Sequence, residues 1–207
     1  SRAGRVLHSD EWAIEPIIAQ VWEDRCISAQ GKQCGICAKA CPYGAITVEV
    51  GTAAEVVTAK CHGCGGCVGE CPHNAITQMH YTDAQVLSQI RALLADKPEE
   101  KIFAFRCHWC SYGGADLAGT SHFEYSANER GIRVMCSARM DADFIYEAFR
   151  LGAGAVLYSG CHPQDCHYIT GQRVGAVRAE RLLKTFEKMG MSPGRFRVEW
   201  ISAAEGD

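Results

Sequence analysis

Cysteine is the residue type in this sequence that points most clearly to chemistry. The 207-residue chain contains 13 cysteines, and most of them have a neighbouring cysteine two or three intervening residues away. Disulfide frameworks are typical of small secreted domains, whereas this chain is of medium size, has an odd number of cysteines and shows no export signal. We therefore predict that the thiols bind metal.

A 15-residue unit occurs twice in the first half of the chain. Residues 34–48, CGICAKACPYGAITV, align with residues 64–78, CGGCVGECPHNAITQ, with the cysteines, the proline and AIT in register. The spacing C-x2-C-x3-C-P brings three thiolates around one corner of a 4Fe-4S cubane and carries the last cysteine towards a neighbouring cluster. Two zinc knuckles are the alternative, but neither the duplication nor the Cys-Pro ending has a zinc rationale.

The duplicated motif resembles that of bacterial-type ferredoxins with two 4Fe-4S clusters, and the resemblance implies crossed ligation. One cluster would take Cys26, Cys34, Cys37 and Cys71, and the other would take Cys61, Cys64, Cys67 and Cys41. The first copy departs from the family pattern, because no cysteine lies among residues 31–33 just before Cys34. Cys26 is the candidate for that ligand, since lengthening the loop by about five residues costs less than about 1 kcal/mol in closure entropy.

The segments around these cysteines predict a small α+β, ferredoxin-like domain. Residues 17–24 predict a strand, and residues 45–60 predict a hairpin through Gly51. Residues 82–94 predict an amphipathic helix that begins with a capping box at Thr82 and Gln85 and packs on one of the two domains. We expect domains at 1–81 and 101–207, joined by the helix and a polar linker over 82–100.

From residue 101, short apolar runs alternate with helical patterns. The runs 101–107, 131–136, 153–161 and 195–202 predict strands buried on both faces, because their apolar residues are continuous. Residues 141–154 and 171–190 predict the helices between the second, third and fourth of these strands. This alternation predicts an α/β domain with a small parallel, doubly wound sheet and right-handed crossovers.

Five further cysteines fall at or just beyond the carboxyl ends of the predicted strands. Ligands of open parallel sheets bind at those ends, so we expect the five thiols to converge on one rim. We interpret the rim as a 2Fe-2S site, with structural zinc as an alternative. The expected ligands are Cys107, Cys110, Cys136 and Cys161, with Cys166 as a spare or exchangeable ligand because it lies furthest out in its loop.

Other kinds of site at this rim are disfavoured. His162 and His167 directly follow their cysteines, whereas a Rieske site needs Cys-x-His spacing. A catalytic Cys–His pair is also disfavoured, because adjacent residues at a strand end usually point away from each other. We therefore expect both histidines to be surface groups or neighbours of the ligands. No G-x-G-x-x-G follows a strand, so a nucleotide site in this chain is not predicted.

The whole chain resembles two protein families. The segments CHWCSYGGADLAGT, IRVMCSARMDADFIYEAFRLGAGAVLYSGCHPQDCHYITG and WISAAEG are similar to the delta subunit of methyl-viologen-reducing hydrogenase. The preceding ferredoxin motifs, with EPIIAQV and YTDAQVLSQI, are similar to the ferredoxin region of the heterodisulfide reductase A subunit. The two are fused in some relatives from methanogens and other anaerobes, including the B subunit of the quinone-interacting Qmo complex.

The resemblance implies an iron–sulfur electron conduit in a flavin-based bifurcating or confurcating complex. Its 2Fe-2S cluster would exchange electrons with a hydrogenase or formate dehydrogenase, and two 4Fe-4S clusters would relay them to a flavin on a missing segment or another polypeptide. Other heterodisulfide reductase-like subunits are the further expected partners. No residue resembles a general acid, base or nucleophile, so we expect no substrate-converting site. The alternatives are a metal-stabilised interaction module and a thiol oxidoreductase using Cys161 and Cys166.

Charge and hydropathy restrict the remaining function classes. The formal net charge is −3 and the isoelectric point is about 6.2, with no basic run to contact nucleic acid. No apolar run approaches the roughly 18–20 residues of a membrane span. We therefore expect a cytoplasmic protein that binds no nucleic acid and does not insert into a membrane.

Overall fold

Two hydrophobic cores organise residues 16–206, which the computed structural model describes. Residues 1–15 of the predicted first domain and Asp207 of the predicted second domain lie outside this range. The first core belongs to the duplicated cysteine motifs, and the second belongs to a parallel sheet with its helices. Among the described residues, no helix combines the length and apolar character that a membrane span requires.

Four short strands and two short helices form the first part. The strands are β1 (Ala19–Val21), β2 (Ile46–Thr47), β3 (Glu55–Val56) and β4 (Ile76–Gln78), and the helices are α1 (Ile36–Ala40) and α2 (Gly66–Glu70). Strand β1 pairs antiparallel with β4, and β2 pairs antiparallel with β3. The predicted hairpin is present, although its paired strands have only two residues each. The predicted strand over 17–24 ends at Val21 and continues as a 3-10 turn, Glu23–Arg25.

The two short helices occupy equivalent positions in the repeat and end for the same reason. Helix α1 is followed by Cys41 and Pro42, and α2 is followed by Cys71 and Pro72. Because proline has no backbone N–H and clashes with a preceding helical turn, the chain leaves the helix at each cysteine. The cysteine before each proline is thereby turned away from its own motif.

Helix α3 (Asp83–Leu93) links the two parts. The predicted capping box is present, because the Thr82 hydroxyl accepts from the Gln85 amide while the Gln85 side chain accepts from the Thr82 amide. Its buried residues Val86 and Ile90 belong to the second core. A 3-10 turn, Pro98–Glu100, then leads into the parallel sheet.

The second part contains four parallel strands in the order β6-β5-β7-β8. They are β5 (Ile102–Cys107), β6 (Glu129–Val134), β7 (Ala155–Gly160) and β8 (Phe196–Trp200), and the sheet is parallel throughout. Strands β5, β7 and β8 lie within the predicted segments, whereas β6 begins two residues before its predicted segment and ends at Val134, two residues before Cys136. After β5, the chain adds β6 on one side of that strand and then adds β7 and β8 on its other side. Strands β5 and β7 therefore meet at a switch point, where open α/β sheets bind ligands.

Three helices accompany this sheet. They are α4 (Ser111–Thr120), α5 (Ala142–Arg150) and α6 (Gly171–Lys188). Helices α5 and α6 were predicted, whereas α4 was not, because three glycines among its ten residues weaken the helical pattern. A 3-10 turn, Ser137–Arg139, joins β6 to α5 and packs against both α2 and α6. That turn connects the two parts of the molecule.

Candidate metal centres

The eight cysteines of the duplicated motif line two separate cavities. One cavity is lined by the four thiol residues of the Cys26 set, namely Cys26, Cys34, Cys37 and Cys71. The other is lined by the Cys61 set, namely Cys41, Cys61, Cys64 and Cys67. Each cavity thus takes three cysteines from one stretch of chain and one from the other. The structure brings together the same two groups of four that the ferredoxin resemblance implies.

Backbone amides point at several of these sulfur atoms in a pattern that repeats with the motif. The Ala45 amide donates to Cys41 Sγ over 3.4 Å, and the Ala75 amide donates to Cys71 Sγ over 3.4 Å. In both copies the donor lies four residues after the cysteine, beyond a residue with positive φ, Gly44 or Asn74. Hydrogen bonds from N–H groups stabilise negative charge on sulfur, which suits thiolate ligands.

Cys26 lies inside the first cavity despite its unusual sequence position. Its side chain is buried, and residues 26–32 fold into a compact loop in which Ser28 Oγ donates to the Glu49 carbonyl over 2.9 Å. Burial raises the pKa of the Cys26 thiol, but backbone amides of Ala54, Ala29 and Ser28 outweigh that effect and hold the pKa below its usual value. The loop therefore presents a thiol that ionises more readily than an ordinary cysteine, which suits a metal ligand.

Two thiols of the Cys61 set have raised pKa values. Burial raises the pKa of Cys64 to about 11, and burial together with neighbouring thiolates raises that of Cys67 further. Without a bound cation these thiols stay protonated, so metal binding at this set must release protons. Helices α1 and α2, which carry Cys37 and Cys67, pack against each other, so the two sets lie next to one another.

At the carboxyl end of the parallel sheet, three thiols form a tight group. The sulfur atoms of Cys107, Cys110 and Cys161 all lie within 4.8 Å of one another, and Cys107 and Cys161 are 3.7 Å apart. Cys107 ends β5 and Cys161 follows β7, so this pair marks the switch point of the sheet. The structure thus brings together three of the five cysteines expected at the rim.

The other two rim cysteines lie beside this group, near the first residue of α6. A Cβ atom added to Gly171 would be 2.2 Å from Cys136 Sγ and 3.2 Å from Cys166 Sγ. Cys166 also interacts with Cys161 and Cys136 and accepts from the Gln172 amide over 3.3 Å. Cys166 was expected to lie furthest out in its loop; instead the loop folds back, through Ile169 at φ 61°, and places its sulfur between those of Cys161 and Cys136.

The five rim thiols differ strongly in how readily they ionise. The hydrogen bond between Cys107 and Cys161, together with nearby amides, lowers the pKa of Cys107 to about 6 despite its burial. Hydrogen bonds from Cys136 and Cys161 likewise lower the pKa of Cys166. The same contacts raise the pKa values of Cys136 and Cys161. The rim therefore combines thiols that ionise readily with thiols that ionise less readily.

The two histidines of this region have other contacts. His162 Nε2 lies 2.6 Å from a carboxylate oxygen of Glu205, and the His167 ring stacks on Trp109 with centroids 3.8 Å apart. Their positions agree with the expectation that they are surface groups or neighbours of the rim.

A small buried cluster connects the rim to the Cys61 set, and no sequence pattern indicates it. We call it the junction cluster: Met135, Cys136, Ala138 and Tyr168 are buried, and Ile17, Tyr43, Cys64, Tyr81, Cys166 and Val174 pack around them. Cys64 belongs to the Cys61 set, whereas Cys136 and Cys166 belong to the rim. Apolar and aromatic side chains thus fill the space between two thiol sites.

The donor atoms fit iron–sulfur clusters. Each of the two cavities offers four thiols, and the rim offers five, so every site can supply the four thiolates that such a cluster takes. These residues are soft sulfur donors, which favour iron–sulfur clusters or zinc over hard cations such as magnesium.

Comparison with known proteins relates both parts of the chain to iron–sulfur proteins. A 4Fe-4S dicluster domain matches residues 31–76, and the family described as "methyl-viologen-reducing hydrogenase, delta subunit" matches residues 102–207. The first match shows that the chain has a 4Fe-4S-binding domain. The second covers about half of the chain.

Curated relatives match either the whole chain or its second half. The A subunit of a ferredoxin:CoB-CoM heterodisulfide reductase from Methanosarcina mazei is 40% identical over 208 positions, covering 100% of this chain and 26% of the relative. The iron–sulfur D subunit of the vhc F420-non-reducing hydrogenase from Methanococcus voltae is 45% identical over 114 positions, covering 55% of this chain and 79% of the relative.

The iron–sulfur D subunit of an F420-non-reducing hydrogenase from Archaeoglobus profundus gives a similar match, with 39% identity over 113 positions and 82% of the relative covered. The chain spans about a quarter of the length of the heterodisulfide reductase A subunits it matches. It spans most of the hydrogenase iron–sulfur subunits. The chain belongs to the methyl-viologen-reducing hydrogenase delta-subunit family and carries a 4Fe-4S dicluster domain before the family's domain.

Proposed function

We propose that this chain is the iron–sulfur electron-transfer module of a heterodisulfide reductase-like complex. The observation that carries the proposal is the junction cluster, in which a thiol of the Cys61 set and two rim thiols are packed into one buried group. A single electron route can therefore pass from the rim to the Cys61 set, and from there to the adjacent Cys26 set. The three sites are arranged as a series.

The proposal assigns a 4Fe-4S cluster to each of the two cavities and a 2Fe-2S cluster to the rim. When bound, these clusters accept and donate single electrons. Cys26, Cys34, Cys37 and Cys71 hold the first, Cys61, Cys64, Cys67 and Cys41 hold the second, and Cys107, Cys110, Cys136 and Cys161 hold the third. Cys166 contacts two of the rim thiols and is available as an exchangeable ligand.

The protein itself contributes ligands, burial and hydrogen bonds. Amide donors such as Ala45 and Ala75 stabilise sulfur charge, and the surrounding apolar residues exclude water from the sites. Both factors influence reduction potential, as cluster charge, hydrogen bonding and solvent exposure do in general. The proposed role needs no general acid, base or nucleophile, so conversion of substrates takes place elsewhere in the complex.

The proposed partners follow from the relatives. One partner is a hydrogenase or formate dehydrogenase that exchanges electrons at the rim, and another is a flavin-bearing polypeptide served by the 4Fe-4S clusters. We further propose that the complex performs flavin-based bifurcation or confurcation in the cytoplasm of an anaerobe, such as a methanogen. The flavin belongs to a segment or partner beyond this chain's cysteine sites.

Iron and acid-labile sulfide analysis of the anaerobically purified chain tests the proposal. Two four-iron clusters and one two-iron cluster give about ten iron atoms and about ten sulfides per chain. An anaerobic redox titration followed by EPR should resolve three centres. Zinc in place of iron would contradict electron transfer and would favour a metal-stabilised interaction module.

A thiol oxidoreductase is the second candidate, and the contact between Cys161 and Cys166 favours it. Two cysteine side chains in contact can form a disulfide on oxidation. This candidate predicts a redox-active disulfide that persists after the metal is removed. Alkylation mapping of the metal-free chain under oxidising and reducing conditions would reveal it, and full alkylation of both thiols after oxidation would exclude it.

A further inference from the structure

Arg139 is the largest fully buried side chain of the described residues and lies at the end of the turn that joins the two parts. Its stem packs against the loop of the Cys61 set, because a Cβ atom added to Gly65 would be 2.7 Å from Arg139 Cδ. The residue directly after Cys64 is Gly65, with φ 74°. Because glycine has no side chain, the arginine stem can lie against the backbone at this position. A permanent positive charge is thus buried near a proposed cluster site.

The neutralisation of this charge is incomplete. Arg139 Nη2 donates to Asp83 Oδ1 over 2.5 Å and to the Tyr81 carbonyl over 2.9 Å, while the guanidinium lies 4.9 Å from the centroid of the Phe144 ring. Among residues 16–206, neither Arg139 Nε nor Nη1 has a hydrogen-bond partner. The side chain of Asp83 is 43% exposed, whereas that of Arg139 is fully buried. Water therefore screens the electrostatic field of the Asp83 carboxylate more than that of the guanidinium.

Burying an incompletely paired guanidinium costs folding free energy, so packing alone does not account for an arginine at this position. Buried charges with unpaired N–H groups are destabilising, and apolar side chains of similar size fill such sites well. Gln78, also buried, has an unpartnered Oε1 that would lie 2.4 Å from the same Gly65 Cβ position, so two polar groups surround this loop. The arrangement retains a buried positive charge next to the loop that follows Cys64, at the expense of stability.

We propose that Arg139 tunes the centre held by the Cys61 set, raising its reduction potential relative to the same centre without the cation. The inference rests on the proposed function. Adding an electron to a thiolate-ligated cluster increases its negative charge, and a nearby cation in a poorly screened interior favours that step. Asp83 opposes the effect, so the two residues should act with opposite signs.

The experiment compares midpoint potentials in the intact, cluster-loaded chain by anaerobic EPR titration. Arg139→Met keeps most of the volume and removes the charge, and we expect the equilibrium constant for reducing this centre to fall about tenfold, or about 59 mV for one electron. Arg139→Lys keeps the charge and should restore a midpoint near the wild-type value. Asp83→Asn removes the counter-charge and should raise the midpoint. The rim centre and the Cys26-set centre serve as internal references with smaller shifts.

Two results would overturn the inference. One is an unchanged midpoint of the Cys61-set centre in Arg139→Met and Asp83→Asn. The other is a shift of both variants in the same direction, which would indicate that they only loosen the junction. If Arg139→Met does not fold, Asp83→Asn alone decides, since a midpoint that fails to rise contradicts the assignment. A wild-type chain without a 4Fe-4S signal would instead refute the proposed function.

Discussion

The guanidinium of Arg178 on helix α6 donates a hydrogen bond to the carbonyl oxygen of Gly69 on helix α2, 2.7 Å away. The two residues are 109 positions apart in the sequence and belong to different parts of the molecule. Arg178 also pairs with Glu70 and donates to the carbonyls of Ala138 and Met140 over 2.7 and 3.0 Å. One side chain thereby connects α6, α2 and the Ser137–Arg139 turn.

Replacing this arginine should loosen the junction between the two parts. In Arg178→Met, three carbonyls and the Glu70 carboxylate lose a charged donor, and hydrogen bonds of this kind contribute roughly 1.5–3 kcal/mol each before relaxation. We expect a loss of about 2–4 kcal/mol in the free energy of unfolding, measured by anaerobic urea denaturation and circular dichroism. Arg181→Met, on the exposed side of the same helix, is the control and should change stability by less than about 0.5 kcal/mol. Equal losses in the two variants would contradict this role.

The Cys26 loop makes a separate prediction for the first cavity. Cys26→Ser removes one of four thiols, so the iron content should fall by about one to four atoms per chain while the Cys61-set signal persists in EPR. Ser28→Ala, in the same loop, removes a hydrogen bond to Glu49 worth about 1 kcal/mol but leaves all four thiols. It should retain the full iron content. An unchanged iron content in Cys26→Ser would remove Cys26 from the proposed ligands.

The sequence predicted this fold best where hydrophobic patterning or a repeat dominates. Continuous apolar runs identified β5 and β7, and the resemblance to two-cluster ferredoxins implied the two groups of cysteines that line the cavities. Helix α4 was missed because its glycine-rich segment has low helix propensity. Its stability therefore comes from packing, which the local sequence does not reveal.

The junction was missed for a different physical reason. Arg139 is a residue type that is almost always exposed, and only the three-dimensional contact with Gly65 shows that it is buried. The loop that carries Cys166 has two non-glycine residues with positive φ, Gln164 and the β-branched Ile169, in a region where such residues are rare. Local sequence therefore gives no indication that the loop folds back onto the rim.

Serine variants test which rim thiols hold the third centre. We expect Cys110→Ser to lose the 2Fe-2S spectrum, because Cys110 lies within 4.8 Å of both Cys107 and Cys161. Cys166→Ser should retain the cluster with an altered spectrum, since the variant removes a thiol that contacts two proposed ligands. Anaerobic absorption and EPR spectra of the two variants provide the measurement. The reverse result, with the cluster lost in Cys166→Ser and kept in Cys110→Ser, would show that the proposed ligand set is wrong.

Gly171 provides a test of the rim that changes no cysteine. Its backbone φ is not in the left-handed region, so alanine is conformationally acceptable, but the added methyl group would lie 2.2 Å from Cys136 Sγ. Gly171→Ala must displace that thiol or the start of α6, and we expect the iron content to fall from about ten to about eight per chain.

Gly119→Ala is the matched control, since its Cβ meets nothing within 4 Å among the described residues. It should keep all iron and gain up to about 1 kcal/mol in stability. A full 2Fe-2S signal in Gly171→Ala would show that the rim tolerates a displaced Cys136, which would favour Cys166 as the fourth ligand.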